Sequence, residues 1–191
     1  RMHLSDRTAL VVIAAIFFGG LIPGIRIGRV TLGIGGALVP ICVCVWVLAR
    51  AGTGKEVLRA LVVSVLTALS VFWLGRLLPS EPEQLWVDPN YLYGIAAGLI
   101  AYLLGRSRRS AFVGAVFGVL LADVAVAVIN WRNGIAQQLT LGTAGLLDAV
   151  VISGLLAVLL TELIGEAIER MQRGRVPAND DGATGNGRRE K

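Results

Sequence analysis

Two acidic side chains stand alone in long apolar stretches of this 191-residue chain. Asp123 interrupts Ser110–Trp131, and Asp148 interrupts Asn133–Thr161. An ionised Asp at the centre of a membrane helix costs roughly 2.5–3.5 kcal/mol. Two unpaired ones would cost about 5–7 kcal/mol, comparable with the whole stability of a typical fold. Such groups therefore turn away from lipid and are protonated, hydrogen-bonded or open to water inside a bundle. Asn130 follows Asp123 by seven residues and shares its helix face, while Gly142 and Thr143 precede Asp148 and Ser153 follows it. Asp123, Asn130, Thr143, Asp148 and Ser153 make up the candidate polar core.

Two chemistries use such a pair. A buried carboxylate that exchanges a proton or holds a cation gives a transporter or channel its coupling site. Two carboxylates sharing a proton activate water in aspartyl proteases, which makes Asp123 and Asp148 the catalytic candidates. Gly145-Leu-Leu-Asp148 is similar to the Gly-x-Gly-Asp signature of intramembrane aspartyl proteases such as presenilin. The second glycine is Leu147 here, no Tyr precedes Asp123, and the Pro-Ala-Leu element has no counterpart. A structural role competes at Asp148, because a carboxylate at a helix start satisfies unpaired N–H groups and meets the positive end of the dipole. Asp123, mid-helix, has no such role, and an interhelical polar contact to Thr143 or an outer Arg is its structural alternative.

The elements that carry these residues follow from composition. The chain is 55% hydrophobic and 16% charged, where a soluble domain carries about 25% charge. The charge-poor runs accommodate helices at roughly 8–23, 31–49, 57–78, 91–105, 111–130 and 144–165, each near the ~20 residues a membrane crossing needs. The fourth is short and relies on interfacial anchors or local thinning. The expected fold class is all-α: a polytopic membrane helix bundle of about six transmembrane helices, with short outer-face strand-like turns at 25–32 and 135–141. Residues 1–173 form the membrane domain. Residues 174–191, rich in Gly, Asn, Asp and Arg without apolar period, are expected to be a disordered cytoplasmic tail. Before that tail, Glu166 with Arg170 and Glu169 with Arg173 are i,i+4 pairs that extend the last helix past the bilayer.

Lys and Arg set the orientation. With the amino terminus inside, 14 basic residues fall on the cytoplasmic side, against Arg26, Arg29, Arg76 and Arg132 outside. Both termini are expected in the cytoplasm, and the protein in a prokaryotic inner membrane. The net charge of +5 then reflects topology and contacts to anionic lipid at the cytoplasmic face, not nucleic acid. Trp46, Trp73, Trp86, Trp131, Tyr91, Tyr93 and Tyr102 lie near span ends or in the outer loop and read as interfacial anchors. No metal or cofactor is expected. His3 is the single histidine, Cys42 and Cys44 point to different faces of one helix, and Glu81, Glu83 and Asp88 form a solvated acidic loop. The bilayer is the expected partner, with a protein partner or a second copy as further candidates. A non-catalytic membrane scaffold that binds such a partner is the third functional reading.

Glycines mark close contacts. Gly94-x-x-x-Gly98 and Gly114-x-x-x-Gly118 are small-xxx-small stripes, placed to support a tight hairpin of the fourth and fifth spans around Arg106–Arg109. Thr31-Leu-Gly-Ile-Gly-Gly-Ala-Leu38 matches Thr140-Leu-Gly-Thr-Ala-Gly-Leu-Leu147 in residue type at most positions. If the match is a repeat, the glycine turns at Gly33, Gly35 and Gly36 and at Gly142 and Gly145 face each other on the outer side.

Gly35-Gly-Ala-Leu-Val-Pro40, Leu103-Leu-Gly-Arg-Ser107, Leu120-Leu-Ala-Asp123 and Gly142–Gly154 carry a resemblance to an uncharacterised prokaryotic family of integral membrane proteins, a domain of unknown function. That resemblance extends over most of the membrane part but not the tail. It implies a fold and a location, and no mechanism.

Overall fold

The computed structural model describes residues 6–78, 88–105 and 107–173. His3, the loop residues 79–87 with Glu81, Glu83 and Trp86, Arg106, the side chains of Glu169 and Arg173, and the tail from Gly174 lie outside the described residues.

Six α-helices carry the fold among the described residues: α1 (Asp6–Gly20), α2 (Val39–Ala49), α3 (Gly54–Leu77), α4 (Pro89–Gly105), α5 (Arg108–Arg132) and α6 (Ala149–Arg173). A π-helical turn, Ile34–Leu38, leads straight into α2, so that the apolar helical stretch runs from Ile34 to Ala49. Among the described residues, three helices are long and apolar enough to cross a bilayer: α3, α5 and Ala149–Ile168 of α6. Each overlaps a helix read from the sequence, at 57–78, 111–130 and 144–165 respectively, with the sixth starting five residues later than expected.

The residue distribution is that of a bundle in lipid. The interior is built from small side chains: Ala97, Ala101, Ala111, Ala115 and Ala157 are fully buried, and the largest fully buried side chains are Val, Thr, Cys and Ser. Leu and Phe point outward along the helices, as at Leu10, Phe17, Phe18, Leu61, Leu69, Leu103, Leu155 and Leu163. Lipid tails are as apolar as Leu, so helix association rests on close packing of small residues. Cys44 is buried and Cys42 exposed, on different faces of α2.

Helices α3 and α5 form the most extensive interface, α4 packs on α6, and α5 touches α2, α4 and α6. The glycine stripes serve these pairs. A methyl at Gly94 would meet Ile152 at 3.0 Å, and one at Gly98 would lie 2.8 Å from the Ser153 carbonyl oxygen, both on α6. Methyls at Gly114 and Gly118 would overlap Val63 and Thr67 of α3. The α4–α5 hairpin does form, but it is held at its turn, where Ser107 caps α5 by accepting from the Ser110 N–H at 3.2 Å. Both stripes therefore face other helices than the hairpin partner, because a small-residue stripe records a close approach and not the identity of the neighbour.

At the opposite end from that turn lies a small three-stranded sheet of β1 (Ile25–Ile27), β2 (Val30–Leu32) and β3 (Leu139–Leu141). β1 and β2 form a hairpin through Gly28-Arg29, and β2 pairs parallel with β3. Register pairs Thr31 with Thr140 and Leu32 with Leu141, the same alignment as the internal similarity. The Gly33 N–H continues it by donating to the Leu141 carbonyl at 2.7 Å. Beyond the strands the glycine turns meet backbone to backbone. A methyl on Gly33 or Gly36 would overlap the Gly142 carbonyl, and one on Gly20 would lie 3.1 Å from the Gly145 Cα. The two similar segments thus form one glycine-packed platform beneath which α1, α2, α5 and α6 are gathered.

Candidate functional site

The two carboxylates, Asp123 and Asp148, have different surroundings. Asp148 sits in extended conformation (φ −71°, ψ 144°) between a short 3-10 turn, Gly145–Leu147, and the start of α6. Its Oδ1 accepts from the Val150 N–H at 3.1 Å, its Oδ2 from the Ala144 N–H at 3.3 Å, and its own carbonyl accepts the first helical bond from Ile152 at 2.9 Å. This is an N-cap, satisfying donors that have no partner inside the helix. The side chain is buried. Asn90, from α4, completes the helix start: its Oδ1 accepts from the Ala149 N–H at 3.1 Å, and its Nδ2 donates to the Leu147 carbonyl at 2.8 Å.

Asp123 is arranged otherwise. It lies mid-way along α5 beside the buried Ala122 and makes no hydrogen bond or ion pair within the described residues. It faces a cavity of about 340 Å³. Val71, Phe72, Gly75 and Arg76 of α3, Tyr93 of α4, and Ala122, Val126 and Ala127 of α5 line the walls, and the segment Gln137–Thr140, which leads into β3, closes the end nearest the sheet. Gly75 leaves room for Tyr93, whose Oη would stand 3.4 Å from a methyl at that position. Trp131 and Asn130 fix the closing segment, Trp131 Nε1 donating to the Gln137 carbonyl at 2.8 Å and Asn130 Nδ2 donating to Gln137 Oε1. The guanidinium of Arg76 lies over the Phe72 ring, 5.0 Å from its centroid.

Asp148 is not part of the cavity wall. A proteolytic dyad needs two carboxylates turned to one water, and Asp148 has one oxygen on each of two backbone amides instead. Of the other candidates, Ser153 is buried and donates to the Val150 carbonyl at 2.9 Å, next to the Gly98 contact with α6. Thr143 is exposed. Asn130 reaches the site only through Gln137. The cavity thus gathers Asp123 with Arg76, Tyr93, Gln138 and Thr140, which the spacing of residues around the two acids does not reveal. Arg76 reads as a topology charge and Tyr93 as an interfacial anchor, since those side chains serve both purposes.

The pattern of YphA-like integral membrane proteins matches residues 4–176, nearly all of the helical domain, Asp123 and Asp148 included. The chain belongs to that family. An integral membrane protein agrees with the apolar helices, the small-residue interior and the family resemblance carried by the glycine and Asp123 segments. No curated protein and no solved structure matches the chain.

Proposed function

We propose that the chain is a six-span inner-membrane protein with both termini in the cytoplasm, and that it binds a small cationic or protonatable solute at Asp123 as part of a transport step. The observation that carries this reading is a carboxylate without protein partner among the described residues, held midway along a long apolar helix and lining a cavity large enough for a small solute. Ligand sites begin at roughly 300 Å³, and the cavity reaches about 340 Å³. An ionisable group inside a membrane span marks a substrate or ion pathway more often than a structural contact. The orientation rests on the basic residues gathered at one end, among them Arg50, Arg59, Arg108 and Arg109. Two of these already meet acids, Arg108 with Glu162 at 2.6 Å and Arg109 with Glu56 at 3.5 Å, and the remainder offer contacts to anionic lipid.

The test is reconstitution into liposomes with separate readouts of proton and small organic cation flux. Flux lost in Asp123→Asn and kept in Asp148→Asn is expected. Equal flux in wild type and Asp123→Asn would remove the proposal. So would the absence of both flux and amine-dependent stabilisation in the wild type.

A further inference from the structure

We infer that the cavity is built for a zwitterion: a molecule or headgroup carrying a primary ammonium and an anionic oxygen group a few bonds apart, the ammonium on Asp123 and the anion on Arg76. This rests on Asp123 as a binding acid and adds an anion subsite to it.

Asp123 and Arg76 line the same cavity but form no ion pair. Opposite charges lining one cavity attract and pair directly unless their positions keep them apart; Asp123 is half-buried and Arg76 is exposed. Here the protein holds them. Asp123 is fixed by the middle of α5, and the Arg76 guanidinium is laid over Phe72 at the end of α3. An arginine stacked in this way keeps its planar N–H edge free for a carboxylate or phosphate. A simple cation would neutralise Asp123 and leave Arg76 without a counter-charge among the described residues, and a simple anion would do the reverse. A zwitterion satisfies both and enters without carrying net charge. Gln138 and the Tyr93 hydroxyl are neutral polar groups on the same wall, suited to its remaining hydrogen bonds. At about 30 Å³ per water, a cavity of 340 Å³ has room for a molecule of amino-acid or phosphoethanolamine size. Such a group reaches the site either as a free solute or as the headgroup of phosphatidylethanolamine.

The experiment uses the full chain with Trp46, Trp73 and Trp86 replaced by Phe, in nanodiscs of phosphatidylglycerol. Trp131 then reports on the cavity through its bond to the Gln137 carbonyl. Glycine and the phosphodiester glycerophosphoethanolamine, both net-neutral zwitterions, are titrated beside ethanolamine, which has only the cation, and inorganic phosphate, which has only the anion. At least one zwitterion is expected to bind about tenfold or more tighter than either half, the margin of one charge-assisted hydrogen bond. Arg76→Gln should reduce it to the affinity of ethanolamine. Asp123→Asn should abolish the response to the ammonium, with thermal midpoints showing that both variants fold. Nanodiscs containing phosphatidylethanolamine separate the sources: competition identifies the headgroup, and undiminished binding identifies a free solute. Ethanolamine binding as tightly as both zwitterions, with Arg76→Gln silent, would overturn the zwitterion and leave the cation site standing. No response to any amine, or a response unchanged in Asp123→Asn, would overturn both.

Discussion

The glycine platform makes a quantitative prediction, because Gly33, Gly134 and Gly142 isolate two contributions that usually occur together. Gly134 follows the Asn133 cap of α5 at φ +79°, with nothing within 4 Å of an added methyl. It ends the helix in a Schellman turn, its N–H on the Trp131 carbonyl at 3.1 Å and that of Ile135 on the Asn130 carbonyl at 2.9 Å. Gly134→Ala therefore carries the left-handed backbone penalty alone, about 1–2 kcal/mol. Gly33 is the opposite case. Its φ of −72° suits any residue, but an added methyl overlaps the Gly142 carbonyl. Gly33→Ala thus carries only the overpacking term, typically about 1–3 kcal/mol. Gly142 combines both, with φ +67° and a methyl that would overlap the Ala37 nitrogen and the Gly36 carbonyl carbon. These are backbone atoms and cannot swing aside. The expected cost of Gly142→Ala is about 2–5 kcal/mol, the sum of the two contributions. Unfolding free energies from SDS titration in mixed micelles test the order, with Gly142→Ala the most damaging. Equal losses for Gly142→Ala and Gly134→Ala would refute a platform held by backbone contact.

Further outcomes separate the two carboxylates and assign the stripes. Asp148→Ala should destabilise by about 1–2 kcal/mol for the lost N-cap, with Asp148→Ser recovering part of it in the same titration. Asn90→Ala should behave alike, since it strands the Ala149 N–H and the Leu147 carbonyl, each worth about 1 kcal/mol or more. Asp123→Asn should have the opposite sign, neutral or stabilising by up to about 2 kcal/mol, because it removes an unpaired ionisable group from the span; a loss as large as that of Asp148→Ala would contradict the partnerless placement. Gly98→Leu and Gly114→Leu should each reduce stability by about 1–3 kcal/mol through overpacking while leaving the oligomeric state in detergent unchanged. A change of that state without loss of stability would instead place the stripes between two copies.

Much of the architecture is legible in the sequence because lipid imposes one-dimensional rules. Charge-poor runs mark the helices, and the similarity of 31–38 to 140–147 foreshadows a parallel pair whose register brings Thr31 beside Thr140. The strand-like turns at 25–32 and 135–141 condense to three short strands at 25–27, 30–32 and 139–141. Less legible is everything that depends on a distant neighbour. The stripe at Gly94 and Gly98 announces a close contact but does not say that α6 makes it. Asp148 can be read as a helix start, whereas Asn90, 59 residues away from Ala149, cannot. The cavity is the extreme case. Only Asp123 among its polar residues breaks a local pattern, while Arg76 and Tyr93 conform to one and so conceal a second role. An ionisable residue in the wrong medium is visible from sequence; its chemical company is a property of the folded chain.

The central claim is that Asp123 faces an accessible polar cavity while Asp148 is sealed into the start of α6. Substituted-cysteine labelling tests it most directly. Asp123→Cys and Asp148→Cys are each placed in a Cys42→Ala, Cys44→Ala background and exposed to a small cationic methanethiosulfonate reagent in the native membrane. Rapid modification at 123, slowed by a bound zwitterion, with little at 148, is the expected result. Equal reactivity at the two positions, or protection of 123 from the reagent in the absence of any ligand, would contradict it.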